Sequence, residues 1–262
     1  MTPCDLELDG RRLEAARWGE PSATRPTLVL LHEGLGCVAL WRDVPALLAA
    51  ATGCPVFAYS RFGYGHSAPV ALPRPMTYMH DEALTVLPRV LDAAGIERAI
   101  LIGHSDGGSI AAIHAGGVRD PRVAAIATIA AHFFVEDLNI ASIEQIREEF
   151  RSAALRARLA KYHADVEVAF RGWNEAWLDP RFRDFDITGY LPEIAVPYLA
   201  LQGTDDPYGT DAQLRALERT VRAPLRTVSI PGARHAPHLE AKDATLAEIV
   251  GFVLTNARDV ER

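Results

Sequence analysis

The run Ala99-Ile100-Leu101-Ile102-Gly103-His104-Ser105-Asp106-Gly107-Gly108 decides how this 262-residue chain is read. Residues 99–103 are a continuous apolar stretch, as expected of a strand covered on both faces. From Ser109 the small residues of 109–115 take up helical character. A sharp turn from strand to helix strains the backbone of its central residue and leaves no room for side chains two positions before or after it. Gly103 and Gly107 stand at those two positions around Ser105, in the form G-x-S-x-G. The turn also sets the Ser105 hydroxyl near a helix start, where free N–H groups and the positive end of the dipole favour developing negative charge. Serine is equally a common helix N-cap. The flanking strand and helix favour a nucleophile over a plain cap.

Outward from this turn, strands and helices alternate. Apolar runs at Thr27–Leu31 (TLVLL), 55–59 (PVFAY), 123–130, 197–203 and 225–230 read as strands. Residues 41–51, 78–94, 214–221 and 243–254 have helical spacing. Residues 6–16 read as a hairpin turning at Asp9-Gly10. Such alternation predicts an α/β fold: a mostly parallel central sheet with helices on both faces. One region breaks the rhythm. Residues 140–178 form a long helical stretch rich in Arg and Glu. The segment 132–194 is therefore expected to be a helical lid, with 1–131 and 195–262 as two parts of one core.

A serine nucleophile needs a base, and an imidazole base needs a carboxylate to fix its tautomer. His235 follows the last expected strand, in Pro231-Gly232-Ala233-Arg234-His235, with His238 as its competitor. Asp206 follows PYLALQG in Gly203-Thr204-Asp205-Asp206-Pro207, and spacing alone does not separate it from Asp205. Both aspartates also suit a turn before proline. The order Ser105, Asp206, His235 puts each residue at the carboxyl end of a strand, where open parallel sheets bind ligands.

Composition narrows the classes. A formal net charge of -7 without a basic run argues against a nucleic-acid partner. Cys4, Cys37 and Cys54 are odd in number and widely spaced, so neither a disulfide framework nor a zinc site is expected. His80, His114 and His163 lack partners at metal-ligand spacing. With no signal-like start and no bilayer-length apolar stretch, a cytoplasmic protein without a membrane partner, metal or cofactor is expected. Oligomeric state is not legible.

The loop after TLVLL reads His32-Glu33-Gly34-Leu35-Gly36. Together with Arg61-Phe62-Gly63-Tyr64-Gly65-His66-Ser67, the GHSDGG turn, the QGTDD loop and GARHAPHLE, it resembles the α/β-hydrolase superfamily of small bacterial esterases. The resemblance implies Ser105 as nucleophile, Asp206 as acid and His235 as base, with Glu240 also matching. It further implies an oxyanion hole from the backbone amides of Asp106 and Gly34. Glu33 replaces the usual glycine after the histidine, and Asp106 replaces the usual Met or Gln. Two carboxylates there would oppose negative charge unless they turn away or are neutralised. His132, at a strand end, is a pocket candidate. So are Trp173 and Trp177, an i, i+4 pair on the lid, together with Glu33 and Tyr208. The implied activity is cleavage of a carboxylic ester of a small molecule. Lactone, thioester or carbon–carbon bond hydrolysis, a lyase or cofactor-free peroxidase, and a ligand sensor with little turnover stand as alternatives. Dehalogenases and epoxide hydrolases carry Asp where this chain has Ser105.

Overall fold

A computed structural model describes residues 1–257; the last five residues of the expected 195–262 core segment lie outside them. The apolar runs pair as strands: β1 (Thr2–Pro3), β2 (Leu6–Leu8), β3 (Arg11–Leu13), β4 (Ala15–Trp18), β5 (Thr27–Leu31), β6 (Val56–Tyr59), β7 (Ala99–His104), β8 (Val123–Ile129), β9 (Tyr198–Gly203) and β10 (Leu225–Ile230). The main sheet runs β1-β4-β6-β5-β7-β8-β9-β10. Pairing is parallel from β6 through β10, and antiparallel where β1 and β4 extend the edge. The period of two along a strand sends alternate residues to opposite cores. Leu28, Leu30, Ile100 and Ile102 join one cluster; Val29, Leu31 and Leu101 join the other. That is why these strands are apolar throughout rather than alternating.

The helices, in chain order, are α1 (Val44–Thr52), α2 (Tyr78–Asp81), α3 (Leu87–Ala93), α4 (Asp106–Gly117), α5 (Asp137–Arg151), α6 (Ala154–Leu159), α7 (Val166–Leu178), α8 (Ala212–Thr220), α9 (Pro237–Glu240) and α10 (Lys242–Asn256). Val44 and Leu48 of α1 and Ile249 and Val253 of α10 bury against one face of the sheet. Helices α2 to α8 contribute to the cluster on the other face.

Three local expectations need correction. The hairpin is shorter than 6–16: β2 and β3 pair around Asp9 and Gly10, whose φ values of 53° and 69° suit a tight hairpin turn, and 15–18 join the main sheet instead. The helix over 78–94 is interrupted by a π-helical turn, Glu82–Val86, between α2 and α3. The wider turn brings Glu82 inside, where it accepts a 2.8 Å hydrogen bond from Tyr59. The 140–178 region is three helices rather than one. Ala153 turns the chain at φ 67°, and Asp165 starts α7 by accepting the Val168 amide at 2.9 Å. No Gly or Pro stands between 140 and 171 to announce these breaks.

Candidate active site

The elbow has the strain its glycines suggest. Ser105 sits at φ 52°, ψ -120°, a conformation L-residues rarely adopt. A Cβ on Gly103 would overlap the Gly107 backbone, and one on Gly107 would overlap the Leu31 carbonyl. Helix α4 is thereby packed directly onto β5 and β7, and it begins at Asp106 rather than Ser109. Ser105 is 6% exposed.

Three loops at the carboxyl ends of β7, β9 and β10 bring Ser105, Asp206 and His235 together. Ser105 Oγ lies 3.0 Å from His235 Nε2. His235 Nδ1 lies 3.0 and 2.9 Å from the two Asp206 oxygens. Because those oxygens only accept, Nδ1 carries the proton and Nε2 is free to accept from the hydroxyl. Asp206 also accepts from Gln202 Nε2 at 2.6 Å and the Tyr208 amide at 2.8 Å. Burial pushes its carboxyl up, but the hydrogen bond and charge of His235 and the Tyr208 amide outweigh this and hold it below the ordinary value. The competing residues go elsewhere. Asp205 is exposed and bonds Thr204. His238 packs against Trp41 and His104. Glu240 accepts the Arg234 amide at 2.6 Å, bracing the loop that carries His235.

The Glu33 carbonyl accepts from His32 Nδ1 at 2.7 Å, Arg61 Nη2 at 2.8 Å and the Gly36 amide at 3.1 Å. In a trans peptide the next N–H points away from that oxygen. The carbonyl's three partners therefore put the Gly34 N–H on the opposite side of the peptide from them, and Gly34 lines a cavity with Ser105. Asp106 is the first residue of α4, so its amide has no acceptor within the helix.

Both unexpected carboxylates are met by neighbouring side chains. Asp106 is fully buried and accepts from Tyr78 Oη at 2.6 Å and Trp177 Nε1 at 3.3 Å, with Arg61 Nη2 at 3.8 Å. Glu33 folds over Gly36 and meets His104 Nδ1 at 3.4 Å. His104 Nε2 donates to the His235 carbonyl at 2.8 Å, which leaves Nδ1 facing Glu33. Burial opposes both charges. The mutual hydrogen bond and attraction still hold the Glu33 carboxyl well below its ordinary range and raise His104.

The cavity measures about 140 Å³. Among the expected residues, Glu33, Gly34, Ser105, Asp106, His132, Trp173, Trp177, Tyr208 and His235 line it, while Asp206 stands behind His235. Sequence reasoning missed Leu35, Asn139, Ile143, Ile146 and Leu155. Asn139, Ile143 and Ile146 lie on one face of α5 by their spacing, a signal that the long helical reading blurred. It also assigned no role to Arg61, Tyr78 or His104. His132 donates from Nε2 to the Tyr208 carbonyl at 3.1 Å. Burial and the nearby His235 push its pKa down to about 4, so it is neutral at pH 7. Among the described residues no cluster of three or more His, Cys, Asp or Glu is arranged to hold a metal, and no helix is long and apolar enough to cross a membrane.

Comparison with known proteins agrees with this architecture. The model of the Alpha/beta hydrolase family matches residues 28–248. The non-heme chloroperoxidase of Streptomyces lividans is 29% identical over 92% of this chain and 97% of its own. The 2-succinyl-6-hydroxy-2,4-cyclohexadiene-1-carboxylate synthase of Serratia proteamaculans is 28% identical over 88% of this chain and 94% of its own. Among solved structures, the proline iminopeptidase of Mycobacterium smegmatis superposes with a TM-score of 0.77 at 20% identity, covering 98% of this chain and 99% of that one. These relatives carry different activities on one frame, and with that frame, its parallel sheet and its matched family model, this chain belongs to the alpha/beta hydrolase family.

Proposed function

We propose that the chain is a serine hydrolase that cleaves a carboxylic ester-like bond of a small molecule through an acyl-enzyme on Ser105. The observation that carries this reading is the continuous hydrogen-bonded line from Ser105 Oγ through His235 to Asp206, with the hydroxyl at the cavity wall. Ser105 Oγ attacks the carbonyl carbon while His235 Nε2 takes the hydroxyl proton. The carbonyl π pair moves onto oxygen, facing the Gly34 and Asp106 amides. Collapse expels the alcohol, which receives the proton from His235. Water, deprotonated by His235, then attacks the acyl carbon and frees Ser105. Asp206 stabilises the imidazolium formed in each half.

The cavity also supports a substrate class. Leu35, Ile143, Ile146, Leu155, Trp173 and Trp177 make most of its wall, and among the described residues no Lys or Arg lines it. An anionic acyl group would have no counterion there. A volume of about 140 Å³ resembles that of an engineered apolar cavity that takes benzene. A compact uncharged acyl group, aromatic or branched, suits this wall. In this reading the 132–194 segment acts as the lid whose helices roof the site.

The test is intact mass after reaction with a small fluorophosphonate, on wild type and Ser105→Ala. One adduct on wild type and none on the variant is expected, followed by turnover of neutral aryl and branched esters. Folded wild type that takes no adduct would refute an activated Ser105.

A further inference from the structure

The two lid tryptophans, Trp173 and Trp177, differ in what their indole N–H groups do. Trp177 Nε1 is committed to the protein, donating to Tyr78 Oη at 3.0 Å and Asp106 at 3.3 Å. Trp173 Nε1 has no acceptor among the described residues; the ring's recorded contact is an edge-on approach to Phe170. Trp173 is nonetheless 8% exposed, and it lines the cavity beside Ser105. An indole N–H set at a cavity wall is free to take a partner from the cavity. Its position narrows which partner is absent. A Cβ placed on Gly34 would fall on Trp173 Nε1 and Cδ1, so the N–H edge of the indole lies directly over the Gly34 α-carbon. Gly34 is the residue whose amide the proposed mechanism assigns to the oxyanion.

We infer that Trp173 Nε1–H is a lid-borne hydrogen-bond donor to the substrate's carbonyl oxygen, acting beside the Gly34 and Asp106 amides as that oxygen becomes an oxyanion. The inference rests on the serine-hydrolase reading and adds a third donor to it. The chemistry it selects is an acceptor oxygen that gains charge in the transition state. The tetrahedral B–O⁻ of a boronic acid bound to Ser105 would mimic that group, whereas benzene, with no acceptor oxygen, would not. The same contact favours glycine at 34: a side chain there would displace the indole.

The experiment follows the indole proton of the full chain by nitrogen-15 correlation spectroscopy. The four tryptophans give a small set of signals, and Trp173→Phe assigns the one in question. Adding phenylboronic acid to wild type is expected to move the Trp173 indole proton downfield and slow its exchange, while benzene, which fills the apolar wall but has no acceptor oxygen, gives no downfield move. In Trp173→Phe, which keeps an apolar ring, phenylboronate affinity is expected to fall about a hundredfold, the lower end of what one oxyanion donor supplies. Benzene affinity should stay near wild type. An unmoved indole signal in a wild-type boronate complex overturns the inference, as does equal weakening of boronate and benzene in a folded variant. A wild type that binds phenylboronate no better than Ser105→Ala removes the serine-hydrolase reading itself, and the donor role with it.

Discussion

Asp106→Asn tests whether the carboxylate beside the nucleophile is structural. Asp106 and Arg61 are 0% and 2% exposed and approach to 3.8 Å. At an effective dielectric of about 20, opposite charges at that distance attract by about 4 kcal/mol. Neutralising Asp106 also weakens the 2.6 Å bond from Tyr78, whose charged acceptor becomes a neutral one. Part of the loss is recovered because a buried carboxylate no longer needs desolvating. Arg61 keeps its 2.8 Å bond to the Glu33 carbonyl. The net expectation is a destabilisation of about 3 kcal/mol, the lower end for breaking a buried pair. For a chain of this size that lowers Tm by roughly 6–12 °C, read by calorimetry at pH 7. A shift below about 2 °C would refute the idea that Arg61 and Asp106 depend on each other, and would return the carboxylate to the role of a substrate contact.

Asp206→Asn should leave the fold intact and lower kcat by about 10³- to 10⁴-fold, because an amide donating to His235 Nδ1 forces the proton onto Nε2, where it cannot accept from Ser105. A loss under tenfold in steady-state ester hydrolysis would contradict this role. Glu33→Gln should cost stability in a pH-dependent way. The lowered Glu33 pKa contributes stability above its unfolded value near 4.5, lost as pH falls through the folded value. The raised His104 pKa contributes below its unfolded value near 6.5, lost as pH rises through the folded one. The Tm difference between wild type and variant should therefore be largest between pH 4.5 and 6.5, and a flat difference from pH 5 to pH 9 would argue against the pair.

The parts of the site that local backbone dictates were legible in the sequence. Gly103 and Gly107 announce the elbow because no other residue fits against Leu31 and the opposing backbone. TLVLL and AILIG announce buried parallel strands because both faces are covered. Legibility fails where long-range packing decides. Tyr78, Arg61 and His104 lie 28, 45 and 2 positions from Asp106, yet only the fold gives them their partners. The breaks at Ala153 and before Asp165 carry no Gly or Pro, so a periodicity reading runs through them. The choice of Asp206 over Asp205 also needed the fold. One side chain points back to Gln202 and His235, the other to solvent.

These long-range partners explain how the loop after β5 can carry Glu33 and the elbow can carry Asp106. In the proposed mechanism a carboxylate beside a developing oxyanion raises the barrier only if its field is uncompensated. Here each faces its own basic neighbour: Arg61 for Asp106, His104 for Glu33. The compensation also does geometric work. Arg61 holds the Glu33 carbonyl and faces Asp106, so one buried guanidinium touches the two segments that carry Gly34 and Asp106. His104, adjacent to Ser105, joins the Glu33 side chain to the His235 carbonyl. The segments that carry Ser105, His235 and Glu33 are thus tied together behind the cavity by polar contacts, which are more directional than apolar packing. The cavity wall itself is left free to be apolar, and in the proposed reading what the substrate meets there is chiefly the 132–194 segment.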